Sequence, residues 1–273
     1  MKRSRFHAFA GVALLACAAC SFDASGIGGG DGGAGGDADP AQPDGGPGAT
    51  DGAPADAAVA AAGTVISSRG ASVVLDGNFD DWTDAPTYVF DIEDATDLHM
   101  GHPSYLSSAK LTFASQHDAT YIYFALVLQD DLVVDAVHPL YDDDSVSIFL
   151  DAAGDAAGRF GADDHEIIIG SNGLYGDYAS GGSALLDGVA VSLSDGWSIE
   201  AGIRKDSLGI APLPTRLGFD IAMNDDDGLG AASFDAYGLW FLSERAPCAT
   251  CCTGWDHPEA WCDTTTFGRL QLQ

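Results

Sequence analysis

Three consecutive carboxylates, Asp142, Asp143 and Asp144, open a short apolar stretch, and Asp151 and Asp155 close it. A second run, Asn224-Asp225-Asp226-Asp227-Gly228, follows another apolar stretch, and Asp76-Gly77-Asn78-Phe79-Asp80-Asp81-Trp82 follows a third. Carboxylates are hard oxygen donors. Calcium takes about six to eight oxygens, which loops at strand ends can supply from carboxylates and carbonyls together. Asp142, Asp143, Asp144, Asp151, Asp225 and Asp227 are therefore the candidate ligands for calcium as a structural cofactor. Neither of the first two runs is an EF-hand loop, since Met223 stands where the first ligand would be needed. A solvated acidic turn is the alternative for each.

The other concentration of reactive side chains is Cys248, Cys251, Cys252 and Cys262, in a stretch that also carries Trp255 and Trp261. An even cluster in an exported chain reads as disulfides. Pairing adjacent Cys251 with Cys252 is strained, because neighbouring Cα atoms lie closer than a relaxed disulfide prefers. Cys262 is then joined to Cys251 or to Cys252. Zinc is the rival reading, as Cys248 and Cys251 have ligand spacing, but no second C-x-x-C follows. Covalent haem attachment is excluded, since it would need His at position 252.

The elements that must position these groups have a period of two. Val146, Ile148 and Leu150 alternate with Ser145, Ser147 and Phe149, the pattern of a sheet strand. Further strands are expected at Ser72 to Leu75, Thr87 to Ile92, Ala109 to Ser115, Ala119 to Gln129, His165 to Ile169, Gly173 to Tyr178 and Val189 to Ser194. Trp197 to Ile203, Leu217 to Met223, Gly238 to Leu242 and Phe267 to Leu272 complete the series. About a dozen short strands without a long helical period predict an all-β fold, a β-sandwich or jelly roll. Tyr121 to Leu128 is apolar on both faces and should be a central strand. Only Lys205 to Leu208 and Pro103 to Ser108 have the character of helical turns.

The chain is read as exported. Residues 1–20 form a lipoprotein-type signal peptide: a basic start, an apolar stretch from Phe6 to Ala16 too short to span a bilayer, and Leu14-Leu15-Ala16-Cys17. Cys17 is the lipidation candidate, with an ordinary secretory signal as the alternative. The expected location is the cell envelope, at the outer membrane or cell surface. Residues 21–63 are dominated by Gly, Ala, Asp and Pro, with nothing to bury. They read as a disordered tether with an r.m.s. span of roughly 35 Å. Residues 64–273 form one β-domain. With 41 Asp and Glu against 11 Lys and Arg, and a net charge of −30, nucleic acid is disfavoured as a partner, and membrane contact is expected only through the lipid anchor.

Six motifs in order resemble the family 9 carbohydrate-binding modules. The opening L-D-G…W turn is similar to Leu75-Asp76-Gly77 through Trp82, and Thr120 to Ala125 resembles the family's L-Y-hydrophobic-A strand. Asp143 to Asp151 resembles its acidic strand, and Gly196 to Ile203 with Ser207-Leu208-Gly209 its G-W-x-hydrophobic-E element. Gly218 to Asp225 and Phe267 to Leu270 resemble the last two. Ser147 replaces the Glu usual in the acidic strand, and Arg204 stands where the family often has Pro.

The resemblance implies a non-catalytic module that binds a polysaccharide or oligosaccharide through aromatic residues, supporting xylan or cellulose breakdown by separate glycoside hydrolases. Aromatic faces suit sugars because the C–H groups of a pyranose pack on them. Trp82 and Trp197, inside family motifs, are expected in the core. Trp240, Trp255 and Trp261 are the candidates for the sugar clasp, with Arg245, His257 and Glu259 as a possible polar rim. Arginine and lysine are too sparse to mark an anionic-glycan groove, which favours a neutral β-linked glucan or xylan. The competing functions are a glycoside hydrolase, a haem-binding sandwich with ligands from His99, Met100, His102 or Met223, and an envelope adaptor.

Overall fold

The computed structural model describes residues 63–70, 73–91, 97–99, 110–135, 140–179, 184–226, 236–240 and 263–273. All belong to one compact unit, Gly52–Gln273. They contain thirteen strands: β1 (Thr64–Arg69), β2 (Thr87–Asp91), β3 (Asp97–His99), β4 (Lys110–His117), β5 (Tyr121–Gln129), β6 (Ser145–Asp151) and β7 (Asp164–Gly170), then β8 (Tyr175–Asp177), β9 (Leu186–Leu193), β10 (Gly196–Arg204), β11 (Arg216–Asp225), β12 (Ala236–Trp240) and β13 (Gly268–Leu272). Four short 3₁₀ turns are the helical elements among the described residues, one of them Lys205–Ser207, where a helical turn is expected.

Hydrogen bonding runs through the order β8-β7-β6-β11-β13-β1-β4-β5-β10-β9. The path folds over at β13-β1-β4, where β1 lies parallel to both neighbours. One layer is β2, β4, β5, β10 and β9; the other is β8, β7, β6, β11, β12 and β3. Phe219 of β11 stacks on Phe124 of β5 at 5.8 Å and meets Phe113 of β4 at 6.0 Å, so strands distant along the sheet face each other across a shared core. That is the β-sandwich expected from the strand pattern. Val146, Ile148 and Leu150 of β6, Ile167 and Ile169 of β7, and Leu126, Trp197 and Ile199 of the opposite layer fill the interior.

The segment around Val73 to Leu75 is not a strand. The Val74 N–H donates to the Asp81 carboxylate at 2.7 Å, and those of Asp76 and Gly77 donate to Glu200 at 3.0 and 2.6 Å. With its donors taken by side chains, this backbone has no ladder to join. The first strand is β1 instead, whose Val65 and Ser67 point inward with no exposed surface. Ser67 is held there by a 3.0 Å hydrogen bond from the Ser115 hydroxyl. β5 is covered on both faces as expected, and Trp82 and Trp197 are buried.

Candidate functional site

Strand ends gather the acids into two groups. In the first, Asp130 follows β5, Asp144 precedes β6 and Asp225 ends β11. All three are buried, and each offers a carboxylate oxygen within 4.8 Å of the others. The Asp144 carboxylate accepts from the N–H of Val134 and, at 2.7 Å, from that of Asp226, tying the loops after β5 and β11 to the start of β6. Burial pushes Asp144 up to about 8, against the pull of those two N–H groups and with help from the charges of Asp130 and Asp225. A divalent cation among the three would relieve both burial and repulsion, and the donor set is all oxygen. The residues present fit calcium.

The second group, Asp151, Asp163 and Asp164, lies at the other end of β6. Asp151 is fully buried and receives the N–H groups of Gly154 at 2.6 Å, Asp155 at 3.3 Å and Ala156 at 2.9 Å. It caps the turn that leaves β6. Asp164 accepts from the Gly161 N–H at 2.6 Å, and burial pushes it up to about 6. Here the backbone already supplies much of the compensation that a cation would bring.

A third feature is the outer face of the second layer. Ser145, Ser147 and Phe149 point away from the core, and their partners on β11 are Asn224, Ala222 and Asp220. On β7 the partners of Ser147 and Phe149 are Ile168 and Glu166. The Asn224 amide donates to the Ser145 hydroxyl at 2.8 Å and to that of Ser147 at 3.4 Å. Asn224 Oδ1 and Asp220 Oδ2 are buried with no hydrogen-bond partner among the described residues. Burial pushes Asp220 well above the usual carboxylate range and, with the Asp177 charge, pushes Glu166 up to about 8. Carboxyls, hydroxyls and an amide thus form a buried polar row. Phe267 closes part of this face, 5.7 Å from Phe149 and 6.0 Å from Phe160.

The acids singled out from the sequence divide between these places. Asp144 and Asp225 meet in the first group and Asp151 belongs to the second, while Asp143, though buried, is in neither. The backbone of Asp142 ends a 3₁₀ turn, Leu140–Asp142. Asp227, Trp255, Trp261, Cys17, Cys248, Cys251, Cys252 and Cys262 lie outside the described residues. Trp240 ends β12 opposite Ile221. Sequence reasoning missed Asp130, Asp163 and Asp164, although each sits in an Asp-Asp pair beside a strand, the signal that singled out the others.

Residues 75–273 match the family described as "Carbohydrate family 9 binding domain-like", and the chain belongs to that family. It is a family of carbohydrate-binding domains rather than of enzymes. Two solved structures of a family 9 carbohydrate-binding module from Caldicellulosiruptor kristjanssonii, one in complex with cellotriose and one with glucose, share the fold. Each is 24% identical with a TM-score of 0.59 over 77% of this chain, covering 93% and 95% of theirs respectively. No curated protein matches the chain.

Proposed function

We propose that this protein captures a neutral β-linked glucan or xylan at the cell surface and presents it to separate glycoside hydrolases. The observation that carries the proposal is the family match over residues 75–273, set on the same sandwich as modules solved with cellotriose and glucose. Trp240, Trp255 and Trp261 clasp the sugar ring, and the cysteine pairs brace the stretch that bears the last two, lowering the ordering cost of binding. Calcium at Asp130, Asp144 and Asp225 fixes three strand ends and serves structure only. Cys17 carries the lipid that holds the protein in the envelope, and residues 21–63 are the tether.

The test is isothermal titration of the full chain with cello- and xylo-oligosaccharides, in calcium and then in chelator. Binding heat that is lost in Trp255→Ala or Trp261→Ala supports the clasp. Absence of heat with every glycan, in protein whose melting temperature still rises with calcium, would leave an envelope adaptor.

A further inference from the structure

Eleven Lys and Arg serve the whole chain, yet the fold brings several to one corner. β1 and β4 end side by side there, with Arg69 paired to His117 in register. Lys205 lies in the 3₁₀ turn after β10, between Arg204 and Asp206. Beside them opens a groove of about 610 Å³, lined by His117, Thr120, Lys205 and Asp206 on one side and by the run Ile210 to Thr215 with Leu272 on the other. This lies within the range of about 300 to 1,000 Å³ usual for small-molecule sites. Ile210, Leu213 and Leu272 also pack against the hydrophobic core, so this wall is anchored.

The polar rim is held in place as well. The Lys205 ammonium donates to the Asp118 carbonyl at 2.6 Å, and His117 Nδ1 lies 3.0 Å from the Ser67 carbonyl. Partial burial lowers Lys205, opposed by Asp118 and aided by Arg69. His117 is lowered first by burial and then by Lys205, with Arg69 adding and the Ser67 carbonyl and Asp118 opposing. The three bases therefore feel one another. Arg204 is paired with the Asp206 carboxylate, so the charges acting on Lys205 and His117 are Arg69 and, opposing, Asp118; more distant acids are largely screened at physiological salt, beyond about 8 Å.

We propose that the groove binds a hexuronate, with the pyranose ring against the Ile210 to Pro214 wall and its carboxylate at Lys205 and His117. The aliphatic wall suits the C–H face of the ring, and Thr120, Thr215 and Asp206 are placed for hydroxyls. The sugar ring in this assignment rests on the carbohydrate-binding reading; the carboxylate rests on the rim alone. The site is separate from the outer face of the second layer, and it gives a protein otherwise suited to neutral glycans a place for an acidic branch.

The experiment titrates the full chain with glucuronate, glucose, acetate, cellotetraose and a glucuronate-bearing xylo-oligosaccharide, reading calorimetric heat and the His117 ring resonances. Expected are glucuronate binding, a rise in the His117 pKa on binding, and a loss of about tenfold or more in Lys205→Gln. Leu213→Trp, which fills the opposite wall and leaves the Lys205 contact to Asp118 intact, should weaken glucuronate to a similar degree while sparing cellotetraose. Tighter binding of the branched oligosaccharide marks a polymer branch as the source, and equal binding marks the free acid; either supports the site. Acetate binding as strongly as glucuronate would overturn the ring, and unchanged glucuronate affinity in both variants would overturn the location. Cellotetraose heat without glucuronate heat would overturn the hexuronate and spare the carbohydrate reading, whereas silence with every sugar would overturn both.

Discussion

Glu200, with no exposed surface, accepts the indole N–H of Trp82 at 2.8 Å and also the backbone N–H groups of Asp76 and Gly77. One carboxyl on β10 therefore holds the whole opening turn against the outer face of its layer, where Trp82 packs with Ala85, Ala114, Tyr123 and Ala125. The two family motifs that carry these residues are halves of a single contact.

Glu200→Gln should retain the shape and lose the charge-assisted bonds, costing about 1 to 3 kcal/mol. For a domain of this size that is roughly 2 to 4 °C of melting temperature per kcal/mol. Trp82→Phe should cost a comparable amount, and the double variant less than the sum, because both changes break the same bond. Thermal unfolding of the four proteins measures this. Strict additivity would show that the indole bond contributes nothing.

The calcium assignment predicts a large response to chelator. Saturating calcium at about a hundred times its Kd adds about 2.7 kcal/mol, or roughly 5 to 10 °C here. Asp144→Asn should remove most of that shift, since it deletes one of three clustered carboxylates, and its single amide oxygen can keep only one of the bonds from Val134 and Asp226. Asp163→Asn, in the second group, should leave most of it. Melting curves with calcium and with chelator decide, and the reverse pattern would move the ion to the other end of β6.

Much of the sandwich is legible in the sequence because its strands alternate so regularly. β6, β10 and β11 have apolar residues at every second position and lie close to where the pattern puts them. β1 was missed because it abuts the Gly- and Asp-rich stretch and points a serine, Ser67, into the interior, which periodicity scores as outward. β3 is three residues long, too short for any period. The acid sites were half legible for a related reason. Asp144 and Asp225 announce themselves in runs, but Asp130 joins them only because the end of β5 meets the start of β6 and the end of β11, and the groove at Lys205 exists only once β1, β4 and the turn after β10 meet.

Lipidation at Cys17 predicts that protein made in a bacterial host partitions into detergent and that Cys17→Ser releases it to the aqueous phase. The intact mass of the mature form should carry the added lipid and show the hydrogen deficit of two disulfides. Reduction should weaken glycan binding, because it frees the stretch that bears Trp255 and Trp261. A mature mass with no lipid would point to an ordinary secretory signal.

Asp220 provides a pH dependence with a definite sign. Its side chain is almost wholly buried on the outer face of β11, where the N–H of Ile221 donates to Oδ1 at 2.8 Å while Oδ2 has no partner among the described residues. Burial raises it well above the ordinary value of 3.8, outweighing that one N–H. The folded state then holds a proton that the unfolded chain releases near its ordinary value. Stability contributed by Asp220 is accordingly full in acid and declines as pH rises above about 4, toward the folded pKa. Asp220→Asn keeps the shape and cannot ionise. It should therefore be near neutral at about pH 4 and increasingly stabilising relative to the parent as pH rises above that. Urea midpoints of parent and variant across that range measure the difference, and a difference independent of pH would mean that Asp220 titrates alike in both states.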